Sequence, residues 1–404
     1  MSALLESLAA GAPGPDADAA LQAIVREGLP GPRVEAWKYT SLRALDRRAF
    51  AAATMAEVDA VAVSGIPAPR VVFVNGRHDS SLSDLAGLAP GLDVSVGAFA
   101  DAPIEATGDL FARINAAHSP PGLAVTATGT EGMLHLVCIG TANATDEAWN
   151  LHHRISVAPG ASLALVEHQL AHAPNANLAN SVADFEVGDR GTLLHARVQD
   201  EAEGATGFLQ TRLTVGAHAH ATRVDIECGS ALSRHLLDIT LAGDGARVDA
   251  HGVLLGTGRR HLDTRLGVVH QAANTACDLH WRALAADRAR VAFHGGITIQ
   301  PGADGSDAAL SSRNLLLSDN AEIDAQPVLE IHADEVKAAH GATVGQLDPR
   351  ALFYLRSRGL PEAEARRMLT RAFCRDIPGK ITDAAVRDWL EARLDAALDR
   401  LDTP

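Results

Sequence analysis

The sequence contains four cysteines and 18 histidines, the residue types best suited to metal and sulfur chemistry. The cysteines lie far apart and form no CxxC pair: Cys138, Cys228, Cys277 and Cys374. An ordinary iron–sulfur site needs closely spaced thiolates, and a disulfide framework needs a denser set of cysteines. We therefore expect no cluster to be held stably by this chain alone, and we expect a reducing compartment, the cytosol.

Two of the histidines have the spacing of a metal-binding pair. His218 and His220, in GAHAHAT, are two residues apart on a predicted strand, so their side chains would share one face and could chelate one ion. The sequence offers no third ligand at a defined spacing and no HExxH motif. A stand-alone histidine-rich metal-binding protein therefore remains an alternative interpretation.

A third candidate is His340, the single histidine in KAAHGATVG, residues 337–345. The alternation before it predicts a last strand that ends at Val336, which would put His340 at a corner before a helix. The glycines beside it permit a close approach of the backbone. A neutral imidazole there could bind iron, contact a cluster or transfer a proton, and the alternative is a hydrogen-bonded structural histidine.

Motifs for nucleophilic or nucleotide chemistry are absent from the sequence. It has no GxSxG, no GxxxxGK(S/T) and no GxGxxG between a strand and a helix. Acids such as Asp263 and Asp278 could imitate the carboxylates of a β-helix carbohydrate-active enzyme. Such enzymes line a groove with aromatic residues, which make up only 4% of this chain. We keep a carbohydrate-active enzyme as the weaker alternative.

Composition excludes several classes of partner. The formal net charge is −15, from 35 basic and 50 acidic residues, and no basic stripe is present to bind phosphates. No apolar run approaches the roughly 20 residues that span a bilayer. The first residues carry acids and lack a basic segment, so they do not predict a secretory signal. We expect a cytoplasmic protein that binds neither nucleic acid nor membrane.

The residues that could do chemistry must be positioned by a long β region, residues 123–345. Short alternating runs follow glycine-containing turns, and Gly160, Gly191, Gly216 and Gly245 are separated by 31, 25 and 29 residues. A period of this length is typical of the coils of a parallel β-helix. The absence of long helical patterns between the runs argues against a doubly wound sheet. A two-sheet sandwich remains an alternative, because its strand spacing is similar.

Helical patterns flank this region on both sides. Residues 1–122 are predicted to be mostly helical, with a strand and an Asn75-Gly76 turn inside them. Residues 346–404 predict two further helices, the second capped by Thr382 and carrying an apolar stripe that includes Leu390 and Leu394. This helix pair could fold back on the β region or present a surface to another protein.

Two stretches carry a resemblance to a known family. NLLLSDNAEIDAQPVLEIHADEVKAAHGATVGQLDPRALFYLRSRGL resembles the C-terminal signature of the SufB/SufD family of iron–sulfur cluster assembly proteins. PRVEAWKYTSLRAL resembles the N-terminal motif of the SufD branch. The resemblance implies a mainly β fold, a right-handed parallel β-helix core flanked by N-terminal and C-terminal helical segments.

The resemblance also implies a function. The chain would be a non-catalytic scaffold subunit that pairs with a SufB-like subunit through the β-helix and with a SufC-like ATPase through the C-terminal helices. It would support iron acquisition and cluster assembly at the SufB interface, where transient iron or a nascent Fe–S cluster is shared. Without SufB it could form a homodimer.

Site residues follow from the same resemblance. His340, in the HGAT motif, would bind the metal, and the partner-binding residues for SufC would be Phe353, Tyr354, Arg358 and Gly359. Many relatives carry a cysteine two residues before the histidine, where this chain has Ala338. Any thiol needed there would therefore have to come from SufB.

Overall fold

The computed structural model describes residues 2–11, 13–98 and 109–401. The α-helices in these ranges are α1 (Ala3–Ala9), α2 (Pro15–Glu27), α3 (Leu110–His118), α4 (Pro349–Ser357), α5 (Glu362–Arg375) and α6 (Ala384–Leu401). Short 3₁₀ segments lie at Glu35–Trp37, Ala60–Val63 and Pro378–Lys380. No helix in the described ranges is long and apolar enough to cross a membrane.

Four strands of the described residues precede α3, and the other sixteen occupy most of the chain between α3 and α4. In chain order they are β1 (Ala51–Ala52), β2 (Arg70–Val74), β3 (Arg77–His78), β4 (Leu92–Ala98), β5 (Pro121–Ala127), β6 (Met133–Gly140), β7 (Glu147–Val157), β8 (Ser162–Ala171), β9 (Leu178–Val187), β10 (Thr192–Asp200), β11 (Thr206–Val215), β12 (His220–Glu227), β13 (Leu232–Leu241), β14 (Arg247–Gly256), β15 (His261–His270), β16 (Ala276–Ala285), β17 (Arg290–Ile299), β18 (Asp307–Leu316), β19 (Glu322–Ile331) and β20 (Lys337–Gly345).

Successive strands from β5 onward alternate between two sheets. The first sheet takes the odd-numbered strands from β5 to β19, and the second takes the even-numbered strands from β6 to β20. Neighbours in each sheet are parallel, as where Thr192 pairs with His220 and His220 with Arg247, 28 and 27 residues apart. Each coil therefore adds one strand to each sheet, which confirms the parallel β-helix and excludes the antiparallel sandwich.

The glycines that set the predicted period lie in equivalent turns. Gly160, Gly191, Gly216 and Gly245 all fall in the connection between a strand of the first sheet and the next strand of the second. Gly160 and Gly245 have φ of 74° and 65°, a left-handed conformation that glycine adopts without steric cost. The spacing seen in the sequence is thus the length of one coil.

The hydrophobic core lies between the two sheets and continues from coil to coil. Inward residues of the strands stack in columns, and most of them are Leu, Ile, Val or Ala. Larger rings also lie in this core, and Trp281 stacks on Phe293 with 5.2 Å between ring centroids. Because parallel strands keep their register, one small residue in a column leaves room for a large one on the next coil, as Gly252 does for Trp281.

Each flanking segment covers the outer face of a different sheet. Leu21 and Phe111 from the N-terminal helices pack with Leu178 and Phe208 of the first sheet. The C-terminal helices α5 and α6 cover the second sheet, burying Val386, Leu390 and Leu394 of α6 against Val198, Val224 and Ile226. The predicted stripe on the last helix therefore folds back on the chain's own β-helix.

Two details differ from the sequence predictions. The N–H of Val386 donates to Asp383 Oδ1 at 2.9 Å, so Asp383 rather than Thr382 caps α6. Strands β2 and β4 precede residue 123 yet pair with β6 and β5 of the two sheets. The domain division at residue 123 stays a prediction, but sheet structure begins about seventy residues earlier, where Ala51 of β1 pairs with Glu147 of β7.

Candidate functional site at the open end of the solenoid

The last coil, β19 and β20, leaves one end of the solenoid open. Each of these strands is the terminal member of its sheet among the described residues. Lys337 N–H donates to Ser306 O at 2.9 Å and Glu322 N–H to Ala289 O at 3.0 Å, so both strands are held from one side. Unpaired strand edges are templates for pairing with another chain.

The core is also uncovered at this end. The inward residues of β20 continue columns that start deep in the solenoid, so that Ala338 follows Ala308 and His340 follows Leu310. Two apolar side chains in these last columns are exposed, Ile331 at 43% and Val344 at 45%. An apolar surface beside an unpaired strand edge is typical of an interaction site rather than of a finished protein surface.

His340 lies in the middle of β20, and its side chain is exposed. The prediction of a corner after Val336 was wrong, because KAAHGATVG forms the whole of β20 and residues 332–336 form the turn before it. The reason is long-range pairing: β18 supplies a complete ladder partner for this stretch. Small residues with little propensity of their own adopt the extended conformation that the ladder requires.

The described residues place no set of three metal ligands around His340. Among the residues that the structure describes, the one group of three metal-ligating side chains with ligand atoms within 4.8 Å of one another is Asp225, Glu227 and His235 in the interior. A single imidazole provides one of the several ligands that iron requires. A metal at His340 would therefore need ligands beyond those that the described part of the chain groups around it.

His218 and His220 do not form the predicted pair on one strand. His218 has φ of 55° and lies in the turn before β12, where its Nε2 is 3.9 Å from Asp244 Oδ2. His220 begins β12, and its Nε2 is 2.8 Å from Asp249 Oδ2. The prediction of a shared strand face was wrong because the turn between the sheets extends through His218.

A charged network that the sequence analysis missed is sealed between the sheets. Its members are all buried: Glu167, His195, Arg197, Arg223, Asp225, Glu227 and His235. Arg197 Nη1 lies 3.0 Å from Glu227 Oε1 and 3.3 Å from Asp225 Oδ1. Arg223 Nε lies 2.7 Å from Asp225 Oδ2. These carboxylate oxygens already accept hydrogen bonds from guanidinium groups, so the network fits an ion-pair cluster better than a metal centre.

The imidazoles in this network are held in defined tautomers. His195 Nδ1 lies 2.8 Å from Arg223 Nη1, and because a guanidinium only donates, Nδ1 accepts and Nε2 donates to Glu167 at 3.1 Å. His235 Nδ1 lies 2.9 Å from Glu227 Oε1. Burial lowers the pKa of both histidines. With neutral imidazoles, three carboxylates and two guanidiniums leave one net negative charge inside the solenoid.

The carboxylates of the network stay ionised. Burial by itself would raise the pKa of Glu167, but the hydrogen bond from His195 and the charge of Arg197 outweigh it and lower the pKa to about 2. One signal for the network was present in the sequence, the alternation RVDIE at 223–227. That pattern alone would have placed the charged residues in solvent.

The four residues predicted to bind a partner lie together at the exposed end of α4. Phe353 and Tyr354 are 72% and 57% exposed, and α4 contains no buried residue. Arg358 Nη2 is 3.3 Å from Tyr354 Oη, and Gly359 turns the chain with φ of 95°. The arrangement presents an aromatic surface, and what binds to it stays a prediction.

The N-terminal motif is anchored on the outer face of the first sheet. Trp37 is buried, and the Arg234 guanidinium lies 4.0 Å from its ring centroid. The Thr40 hydroxyl contacts His261 Nε2 at 2.9 Å and donates to Asp263. The buried half of the WKYT sequence therefore joins the N-terminal segment to β13 and β15.

Comparison with known proteins identifies the family. The family model described as the SUF system FeS cluster assembly, SufBD core domain, matches residues 139–373. The chain belongs to the SufBD family. The open-end strands β19 and β20 and the exposed helix α4 all lie inside the matched residues.

Relatives within the SufBD family support the resemblance to the SufD branch. The chain is 28% identical over 391 residues to the iron–sulfur cluster assembly protein SufD of Escherichia coli, covering 94% of this chain and 92% of that protein. It is 27% identical over 251 residues to SufD of Bacillus subtilis, covering 61% and 56% of the two chains. A SufBD family protein of Synechocystis is 25% identical, covering 90% and 86%.

Proposed function

We propose that this SufBD protein is the SufD-like scaffold subunit of a SufB–SufC–SufD complex and supports iron acquisition and de novo cluster assembly at its interface with SufB. The observation that carries the proposal is the open end of the solenoid, where two unpaired strand edges and an uncovered core surround His340. A second β-solenoid is the partner that fits such an end, because it can continue both the ladders and the core.

The position of His340 supports a role for this protein in binding iron transiently, as cargo rather than as a resident cofactor. It is the residue of the last coil that combines an inward position, exposure and an imidazole ligand. Cys277 lies in the column of Ala338, two coils further in, but it is 4% exposed and burial raises its pKa to about 12. This thiol is not available at the interface, so we assign the sulfur-handling thiols to SufB.

The C-terminal helices support the binding of a SufC-like ATPase. Helix α6 and the end of α5 are fixed to the second sheet, with Arg282 Nη2 2.6 Å from Asp376 Oδ2 and Arg400 Nη2 2.8 Å from Asp200 Oδ1. Helix α4 is left exposed with its aromatic residues. A movement of a bound ATPase would therefore be transmitted to the β-helix through α5 and α6.

We propose a non-catalytic, cytoplasmic subunit that forms a homodimer through the same open end when SufB is missing. The carbohydrate-active alternative loses support because Asp263 and Asp278 lie in β15 and β16, on different sheets. Asp263 is moreover paired with Arg234, and Asp278 with His280 at 2.8 Å.

The test is native mass spectrometry of this chain co-expressed with SufB and SufC. The variant is His340→Ala, and the matched control is His332→Ala, an exposed histidine in the turn just before β20. We expect all three proteins to form the complex and only His340→Ala to lose bound iron and sulfide. Absence of a complex with the wild type would contradict the proposed function. Equal loss of bound iron and sulfide in His340→Ala and His332→Ala would contradict the assignment of His340 as the iron-binding residue.

A further inference from the structure

The two open strand edges, β19 and β20, differ in the backbone N–H and C=O groups that they point outward. In a parallel ladder the N–H and C=O of one residue point to the same neighbouring strand, and the next residue points to the opposite side. In β20, Lys337 N–H donates to Ser306 O, so the odd-numbered residues face β18. Asn314 of β18 agrees, because its Nδ2 donates to Thr343 O at 3.0 Å.

The even-numbered residues of β20 therefore point their backbone groups outward. They are Ala338, His340, Ala342 and Val344. Each has both an N–H and a C=O on this edge, and β20 contains no proline. The outward row is a complete set of alternating donors and acceptors, with His340 inside it.

The edge of β19 is different. Glu322 N–H donates to Ala289 O and His332 N–H to Ile299 O at 2.8 Å, so the even-numbered residues face β17 and the odd-numbered residues face outward. Pro327 is odd-numbered and stands near the centre of the strand. Because proline has no N–H, the outward row of β19 lacks a donor at its middle, while the ladder to β17 loses nothing.

From this asymmetry, and resting on the proposed function, we propose that the partner solenoid pairs its strand with β20 and that Pro327 prevents continuous pairing along β19. Proline on an edge strand is a known means of blocking unwanted strand addition. The first sheet would then meet the partner through side chains, and the second through a backbone ladder.

The pairing would determine how His340 is presented. Its own N–H and C=O would belong to the ladder between the chains, so the rotation of the strand would be fixed on both sides. Side chains in a strand stand perpendicular to the sheet, so the imidazole would be directed into the shared core. His340 would then face the first coil of the partner rather than solvent.

Proline substitutions test the proposal. Each one removes a single N–H, and the choice of an odd-numbered or even-numbered residue decides which side of the strand loses it. Ala342→Pro and Ala338→Pro remove outward donors of β20, Ala325→Pro removes an outward donor of β19, and Ala339→Pro removes a donor that faces β18. Each variant is purified alone for thermal unfolding and then titrated with the SufB-like partner by calorimetry. The residue before each new proline is already extended, as proline requires.

We expect Ala342→Pro and Ala338→Pro to keep the wild-type melting temperature and to raise the Kd for the partner at least ten-fold, since a lost inter-chain bond also leaves a partner carbonyl unpaired. Ala325→Pro is expected to change Kd by no more than two- to three-fold. Ala339→Pro is expected to lower the melting temperature, because it removes a donor to β18. This result would verify that the odd-numbered residues of β20 face β18.

The outcomes separate this inference from the proposed function. If the wild type does not bind the partner, the proposed function fails. If the wild type binds and Ala325→Pro weakens binding as much as Ala342→Pro or more, the pairing on β20 is wrong while the proposed function stands. Measuring both β20 variants guards against a local steric effect at one position.

Discussion

His195 and His340 occupy the same inward column of the second sheet, yet their surroundings are opposite. Register pairs connect them through Arg223, Ala250, Leu279 and Leu310. His195 is 2% exposed and both its ring nitrogens are hydrogen-bonded, whereas His340 is exposed on the last coil. Position along the solenoid, rather than residue type, therefore separates a structural histidine from one available for binding.

The largest expected effect is the loss of folding stability in acid, because several buried histidines are neutral in the folded protein. Burial lowers the pKa of His153, His251 and His270 to about 4 and that of His168 to about 3. Unfolded, each would take up a proton near pH 6.5. Stability is therefore fully present above about pH 6.5 and is lost as the pH falls toward 4, by about 1.4 kcal/mol per pH unit for each group.

The measurement is the melting temperature between pH 7.5 and 5. His251→Leu is the informative variant, because His251 Nδ1 is buried without a hydrogen-bond partner among the described residues and the ring packs beside that of His280. It should reduce the dependence on pH. An unchanged melting temperature across this range would mean that these histidines are not neutral and sealed in the folded protein.

The next effect is the loss of a buried charge. Arg197→Ala leaves Glu227 and Asp225 without a guanidinium that lies 3.0 and 3.3 Å from them in the interior. Breaking a buried pair in this way typically costs about 3–5 kcal/mol of unfolding free energy. The control is Arg290→Ala, whose exposed pair with Glu322 should contribute about 1 kcal/mol or less. Urea denaturation of both variants tests the difference.

The smallest effect is expected from replacing the two histidines themselves. His195→Ala should lower the unfolding free energy by about 1–3 kcal/mol, because the buried Glu167 and Arg223 each lose a partner. His340→Ala should change it by less than about 0.5 kcal/mol, as expected for an exposed residue. Urea denaturation of the isolated chain measures both. A large loss for His340→Ala would make it a structural residue.

Much of the fold could be predicted from local pattern. The glycine spacing predicted the coils because each turn needs a permissive residue once per coil, and Leu390 and Leu394 predicted the buried face of α6 because helical periodicity is local. The site was less predictable. His340 was assigned to a corner because Ala338, Ala342 and their small neighbours carry little strand signal, and the strand exists only through pairing with β18.

The buried charged network also could not be predicted from local sequence. Arg223, Asp225 and Glu227 alternate with Val224 and Ile226, a pattern that predicts charged residues in solvent. In the structure the apolar residues face α6, and the charged ones point inward, where the chain supplies Arg197 from the preceding coil. The partners come from strands about 28 residues away, so no local window contains the information.

Contiguous residues specify the repeat, the flanking helices and the family, because turn chemistry, helix periodicity and two long motifs can each be read within a local stretch of the chain. Contacts between distant strands determine which face of each strand is inward and which histidines are buried. They also place His340 on one free strand edge and Pro327 on the other. These properties depend on register between coils, which is set when the whole set of ladders and the core form together.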